Sequence, residues 1–185
     1  MASEGHHQDK IAKYSLKALR KLWSAIESED TPGWEAGKAL EYLVLRAFQL
    51  DGAEVTWPFS VRLADDEVDT EQIDGVIYLD GLACLVECKD YRRPVNIEPI
   101  AKLRNQLLRR PASTLGIVFS RSGFTTPARL LAQYIYPQPI LLWSGEEIRF
   151  ALDRGQGAMR EGLRTKYRHC VEFGIPDFNI KTLAF

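Results

Sequence analysis

Three acidic residues stand where the local pattern argues against them. Asp74 interrupts Gln72-Ile73-Asp74-Gly75-Val76-Ile77, a run otherwise suited to a strand, in which aspartate is a poor former. Glu87 and Lys89 close Leu85-Val86-Glu87-Cys88-Lys89, and alternation along a strand sends both side chains to one face. Glu41 precedes Val44, Leu45 and Phe48 on the apolar stripe of a helix, where a carboxylate costs free energy unless a partner or a cation meets it. Asp80-Gly81 reads as a two-residue hairpin turn, and counting outward from it sets Asp74 opposite Glu87. Two carboxylates side by side repel, and a divalent cation between them makes the pair tolerable. Hard oxygen ligands with open positions suit Mg²⁺, or Mn²⁺ in its place, which keep several waters and bind through one or two carboxylates plus substrate phosphate. Lys89 beside such a site can orient a water or stabilise charge developing on a phosphate under attack, the logic of metal-assisted phosphodiester hydrolysis. The plainer alternative is a same-face salt bridge between Glu87 and Lys89 on a half-exposed sheet, with Asp74 at a strand edge.

The elements that must position these groups follow from periodicity. Residues 10–28 carry Leu16, Leu19, Leu22, Trp23 and Ile26 on one helical stripe, with Lys10, Lys13, Lys17, Arg20 and Lys21 on another face that reads as solvated or, less simply, as phosphate-facing. Thr31 and Pro32 offer an N-cap and N1 for a second helix, which bears Glu41 and stops at Asp51-Gly52. Val55, Trp57, Phe59 and Val61 alternate as a first strand, residues 73–79 form a second and residues 82–89 a third. Helical spacing over 97–109, a buried strand over 113–119, a helix over 127–135, a strand over 139–143 and helices over 145–153 and 158–173 complete the chain. A meander followed by crossover units implies a mixed sheet covered by helices on both faces.

With those residues placed, a family resemblance emerges. Asp74, twelve intervening residues and Glu87-Cys88-Lys89 resemble the Asp…(Asp/Glu)-x-Lys signature of the restriction-endonuclease-like nuclease superfamily, and Glu41 resembles the helix-borne acid that many members use. Ile73-Asp74-Gly75, Glu87-Cys88-Lys89-Asp90-Tyr91, Gly116-Ile117-Val118-Phe119-Ser120, Ser122-Gly123-Phe124-Thr125 with Ala128, and Ile140-Leu141-Leu142-Trp143 are similar to the Mrr-like branch. The resemblance spans residues 34–150 and implies a three-layer α/β/α restriction-endonuclease-like fold, with a central mixed β-sheet flanked by helices. It implies Mg²⁺-dependent cleavage of DNA, with Asp74 and Glu87 as metal ligands, Glu41 as an accessory ligand, the Cys88 peptide carbonyl completing the site, and Lys89 as base or charge stabiliser. Arg92, Arg93 and Arg121 follow the strand ends and are candidates for phosphate contacts, with Lys102, Arg104, Arg109 and Arg110 nearby on or after the next helix.

Residues 31–155 are thus expected to form the nuclease core, residues 1–30 an N-terminal amphipathic helical extension, and residues 156–185 a C-terminal helix and tail packed on the core. No DNA-reading domain is recognisable, so a separate recognition or regulatory partner is expected. Two-stranded cleavage would call for a homodimer, which the apolar N-terminal helix could help build. A prokaryotic defence or DNA-processing enzyme is the reading. The alternatives are a non-catalytic nucleic-acid or protein binding module on the same fold, and a nuclease for RNA or for branched or single-stranded substrates.

The 185-residue chain suffices for one packed domain. It has no apolar run of the ~20 residues that span a bilayer and no apolar leader, and three cysteines suit a reducing compartment, so a cytoplasmic protein without a membrane partner is expected. Cys84, Cys88 and Cys170 fit no usual zinc spacing and read as buried small hydrophobes, while His6-His7 reads as a flexible surface feature. Twenty-four Lys and Arg against 25 Asp and Glu, net charge −1, exclude binding of nucleic acid through bulk charge, so any basic cleft must be local.

Overall fold

The computed structural model describes residues 2–62 and 71–182, so the last three residues of the expected tail lie outside the described residues. Helices α1 (Ala2–Ala12), α2 (Leu16–Glu27) and α3 (Lys38–Leu50) come first, then strands β1 (Glu54–Thr56), β2 (Phe59–Val61), β3 (Glu71–Ile73), β4 (Gly75–Leu79) and β5 (Leu82–Lys89). Helix α4 (Ile97–Leu107), β6 (Thr114–Ser120), α5 (Thr126–Gln133), β7 (Ile140–Ser144), α6 (Gly145–Arg154) and α7 (Ala158–Phe173) follow, with a short 3₁₀ turn at Ile180–Thr182. The central sheet has the order β1-β4-β5-β6-β7, antiparallel across β1, β4 and β5 and parallel across β5, β6 and β7; β2 and β3 pair separately.

One apolar layer, built on Leu40, Leu43, Phe48, Cys84, Val86, Phe119 and Trp143, lies under α2, α3, α6 and α7. The other, built on Leu85, Ile100, Leu103, Val118, Ala128 and Leu142, lies under α4 and α5. This is the expected three-layer α/β/α restriction-endonuclease-like arrangement, since each face of a buried sheet needs its own helical cover.

Several boundaries differ from the sequence reading, each for a local reason. The helix expected over 10–28 is two helices, because Ser15 caps α2 by accepting from the Ala18 N–H (3.4 Å). Helix α3 begins at Lys38 behind the left-handed Gly37 (φ 79°), not at Thr31 and Pro32. The single strand expected over 55–61 breaks at Pro58, which has no N–H to donate, and its halves join different sheets. His7 is buried rather than a surface feature: its ring stacks on Trp34 with centroids 5.0 Å apart. The apolar stripe of α2, Leu19, Leu22, Trp23 and Ile26, is buried in the chain's own core. Among the described residues no helix is long and apolar enough to cross a membrane.

Candidate functional site

Asp80 (φ 53°) and Gly81 (φ 81°) make the tight turn that fixes the β4–β5 register at Leu79 opposite Leu82 and Gly75 opposite Val86. Continued by one residue, that register sets Asp74 across from Glu87. Asp74 is not inside a strand, however: it is the joint between β3 and β4, where the chain leaves the two-stranded ribbon and enters the main sheet. Gly75 makes the joint feasible. Its φ is +153°, and a Cβ there would lie 2.7 Å from Leu45 Cδ1 and 3.0 Å from the Thr56 carbonyl oxygen, so α3 packs directly onto its backbone.

Past the Gly75–Val86 pair the next hydrogen-bonding rung of β5 is Cys88. Its N–H donates to Asp74 Oδ2 at 2.8 Å, so a side-chain carboxylate takes the place of a strand carbonyl. N–H and C=O of one strand residue point to the same edge, so the Cys88 carbonyl also faces the Asp74 side, beyond the end of the ladder. The Cys84 and Cys88 side chains point the other way into the core, where burial pushes the Cys84 thiol up to about 12 and that of Cys88 well above its usual value.

The carboxylates are buried and crowd one another. Glu87 is fully buried; Lys89 pairs with it from the same strand face, and Lys102 of α4 places Nζ 3.1 and 3.0 Å from its two oxygens. Burial and the nearby Glu87 charge raise the Asp74 carboxyl. Glu41, in the first turn of α3 and held by Lys38 at 2.7 Å, is raised to about 7 by burial and by the Asp74 charge. Burial alone would depress Lys89, but Glu87 and Asp74 outweigh it and raise it, so the amine stays charged. Asp74, Glu87 and Lys89 are near neighbours, and Glu41 lies close enough for the Asp74 charge to act on it.

Among the described residues no three His, Cys, Asp or Glu side chains gather closely enough to hold one ion by themselves, so the three acids are not a closed cage. The donor types suit a hard cation, two buried, mutually repelling carboxylates and a peptide carbonyl on the same edge, although Lys89 and Lys102 hold the Glu87 oxygens. Glu87 and Lys89 line a cavity of about 870 Å³ whose walls also include Asp90, Tyr91, Arg92, Arg93, Glu98 and Lys102. Four basic side chains, Lys89, Arg92, Arg93 and Lys102, face three carboxylates along that wall.

The structure separates the three candidate phosphate contacts. Arg93 is exposed on the cavity wall, whereas Arg92, also exposed, pairs with Glu29. Arg121 is mostly buried between Glu29 and Asp90, with its carbonyl oxygen so close to Gly145 that a Cβ there would lie 2.1 Å away. Arg121 thus ties the N-terminal segment to the ends of β5 and β6, with its side chain only 13% exposed. Arg109 and Arg110 hold Glu71 of β3, and Gln106 donates to the Gln72 carbonyl (3.1 Å), so the end of α4 anchors the ribbon leading to Asp74. Sequence reasoning missed Lys102 as a partner of Glu87. The signal was its place beside inward Leu103, three residues after Pro99 and four before Gln106.

Three solved structures resemble the fold at low identity. A protein of unknown function, AF1548, is 17% identical with TM-score 0.47, the match covering 74% of this chain and 77% of that one. The DNA modification-dependent restriction endonuclease AspBHI is 12% identical with TM-score 0.43, over 81% of this chain and 39% of its own. MspJI restriction endonuclease, solved with a 27-mer oligonucleotide, is 18% identical with TM-score 0.40, over 83% and 38%. The match therefore spans about two-fifths of each of those two endonucleases. A search of curated proteins returns no match. The sequence profile of the Mrr catalytic domain, described as a restriction endonuclease, matches residues 35–152, a stretch that holds Glu41, Asp74, Glu87 and Lys89 in order. The chain belongs to the Mrr-like restriction endonuclease family.

Proposed function

We propose that the chain is a divalent-metal-dependent endonuclease that hydrolyses DNA phosphodiester bonds, in prokaryotic defence or DNA processing. Asp74, Glu87 and the Cys88 carbonyl would hold Mg²⁺ or Mn²⁺, with Glu41 as an accessory ligand. The cation supplies Lewis-acid polarisation of the phosphate and a more acidic bound water. Lys89, charged and fixed by Glu87, stabilises the negative charge that grows on the phosphate or orients the attacking water. Arg93 and Arg92 on the cavity wall contact flanking phosphates, with Arg92 first giving up Glu29. Target selection comes from a separate recognition or regulatory partner, and two-stranded cleavage from a homodimer.

The observation that carries this reading is the Asp74–Glu87 juxtaposition at a sheet joint, with Glu87 lining a cavity that also bears Arg92 and Arg93 and with Asp74 raised by burial and by its neighbour. A purely structural pair would not set two buried carboxylates against each other with only a backbone N–H on Asp74. The saturation of Glu87 by two lysines favours a second reading, a nucleic-acid binding module without turnover.

The experiment is incubation of wild type and Lys89→Ala with plasmid, linear, branched and single-stranded DNA and with RNA, in Mg²⁺, Mn²⁺ or EDTA. Cation-dependent DNA cleavage that falls by roughly 10² or more in Lys89→Ala supports the nuclease. Binding with no cleavage of any substrate selects the binding module, and cleavage that survives in Lys89→Ala removes the site assignment.

A further inference from the structure

Lys102 is unlike the other basic groups around Glu87. Helix α4 turns Pro99, Ile100, Leu103, Gln106 and Leu107 to the sheet, and Lys102 lies on the border of that stripe, reaching Glu87 across the layer. Its ammonium touches both carboxylate oxygens, at 3.1 and 3.0 Å. The partners differ in freedom: the Glu87 side chain is 1% exposed, that of Lys102 is 47% exposed. Lys89, which shares Glu87, is 18% exposed and rises from the same strand, so it has far less room to leave.

An ammonium bound to both oxygens occupies the positions that a cation would need. The way out for it is also present. Lys102 borders the cavity of about 870 Å³, and Glu98, one helical turn earlier at i−4, lines the same cavity and offers the released ammonium a second carboxylate. A four-carbon stem is long enough to move between two such docks without any backbone change.

The geometry points to Lys102 as a displaceable counter-ion of the metal site: it neutralises Glu87 while no divalent cation is bound and is expelled into the cavity when one binds. This rests on the nuclease reading, because it takes Glu87 to be a metal ligand. Cation affinity is then set by competition with a tethered amine, so the protein binds metal more weakly than its carboxylates alone would allow. Once expelled, Lys102 adds a positive charge to the wall along which phosphates lie.

The test is calorimetric titration of Mn²⁺ alone, without nucleic acid, into wild type, Lys102→Met, Lys102→Arg and Arg93→Met. Removing the competitor in Lys102→Met tightens Mn²⁺ binding roughly tenfold, the size expected for freeing a charge-assisted contact. Lys102→Arg, whose fork grips a carboxylate at two points, binds Mn²⁺ no more tightly than wild type. Arg93→Met, which removes a nearby charge from the same wall but no contact with Glu87, shifts affinity by a factor of about two at most. Equal tightening in Lys102→Met and Arg93→Met, or none in either, overturns the inference while leaving a metal-binding, cleaving wild type intact. Failure of every variant to bind Mn²⁺ overturns the nuclease reading as well. Mn²⁺ binding by Lys102→Met but not by wild type supports the inference in its strongest form.

Discussion

Two regions of the molecule bury charge, and they do so to opposite effect. Beneath α7, Glu147 accepts from the Ser144 N–H (2.9 Å), the Ser144 hydroxyl (3.0 Å), the Ile180 N–H (3.1 Å) and Lys166 (2.6 Å). Lys166 is wholly buried; it also donates to the Phe178 carbonyl (2.6 Å) and lies 5.5 Å from the centre of the Trp143 ring. One acid and one base meet there, each with further partners, and the result pins the C-terminal segment to β7 and α6. At the β3–β4 joint three acids crowd one another, their lysines are shared unevenly, and Glu87 lines a cavity. Buried charge that is matched and closed is architecture. At the joint the match is uneven, with Lys89 and Lys102 both on Glu87 and a backbone N–H on Asp74, which is the arrangement the proposed cation would relieve.

The largest expected effect breaks the closed network. Lys166→Met leaves Glu147 buried without its cation and lowers stability by about 3–5 kcal/mol, the usual consequence of removing one partner of a buried pair. A thermal melt measures it as a fall in Tm of roughly 10 °C, while cleavage per folded molecule is unchanged. A smaller change would mean that the backbone donors alone carry Glu147.

The opposite sign is expected at the open cluster. Glu41 rises from its usual 4.5 to about 7 on folding, so the stability it contributes is complete below about 4.5 and lost as pH climbs through about 7. Cation-free wild type is therefore less stable at pH 8 than at pH 5 on account of this group. Glu41→Gln removes that penalty, raising stability at pH 8 by on the order of 1–3 kcal/mol and hardly at all below pH 5. Mn²⁺ should stabilise wild type more at pH 8 than at pH 5, and denaturant titrations at both pH values give the comparison.

The smallest effect separates two arginines. Arg93→Ala weakens DNA binding a few-fold and reduces the salt dependence by about one counter-ion. Arg121→Ala, which removes contacts to Glu29 and Asp90, lowers Tm instead. Filter binding across a salt series with parallel melts distinguishes them, and equal effects on binding would return Arg121 to the phosphate track.

Much of this contrast was legible in the residues alone. The Asp80-Gly81 turn fixes a register, alternation fixes a face, and together they placed Asp74 against Glu87 and Lys89 beside it. Positions set by longer-range packing were not legible. Gly75 pressed against Leu45 and the break at Asp74 depend on where α3 lies, which no local period encodes. Arg121 shows the same limit for charge. Its sequence position after β6 suggested a ligand contact, but Glu29, brought in from the N-terminal segment ninety-two residues away, takes it. Lys166 and Glu147 gave no signal either, since only the fold brings α7 onto β7.

The most direct test of the contrast is Asp74→Asn, assayed by thermal melt and by plasmid cleavage in Mn²⁺ on the same preparation. Asparagine keeps an oxygen for the Cys88 N–H and removes the crowded charge, so the account predicts an unchanged or higher Tm at pH 8 together with a loss of cleavage of roughly 10² or more. A variant that cleaves like wild type, or one that loses stability as Lys166→Met does, would contradict it.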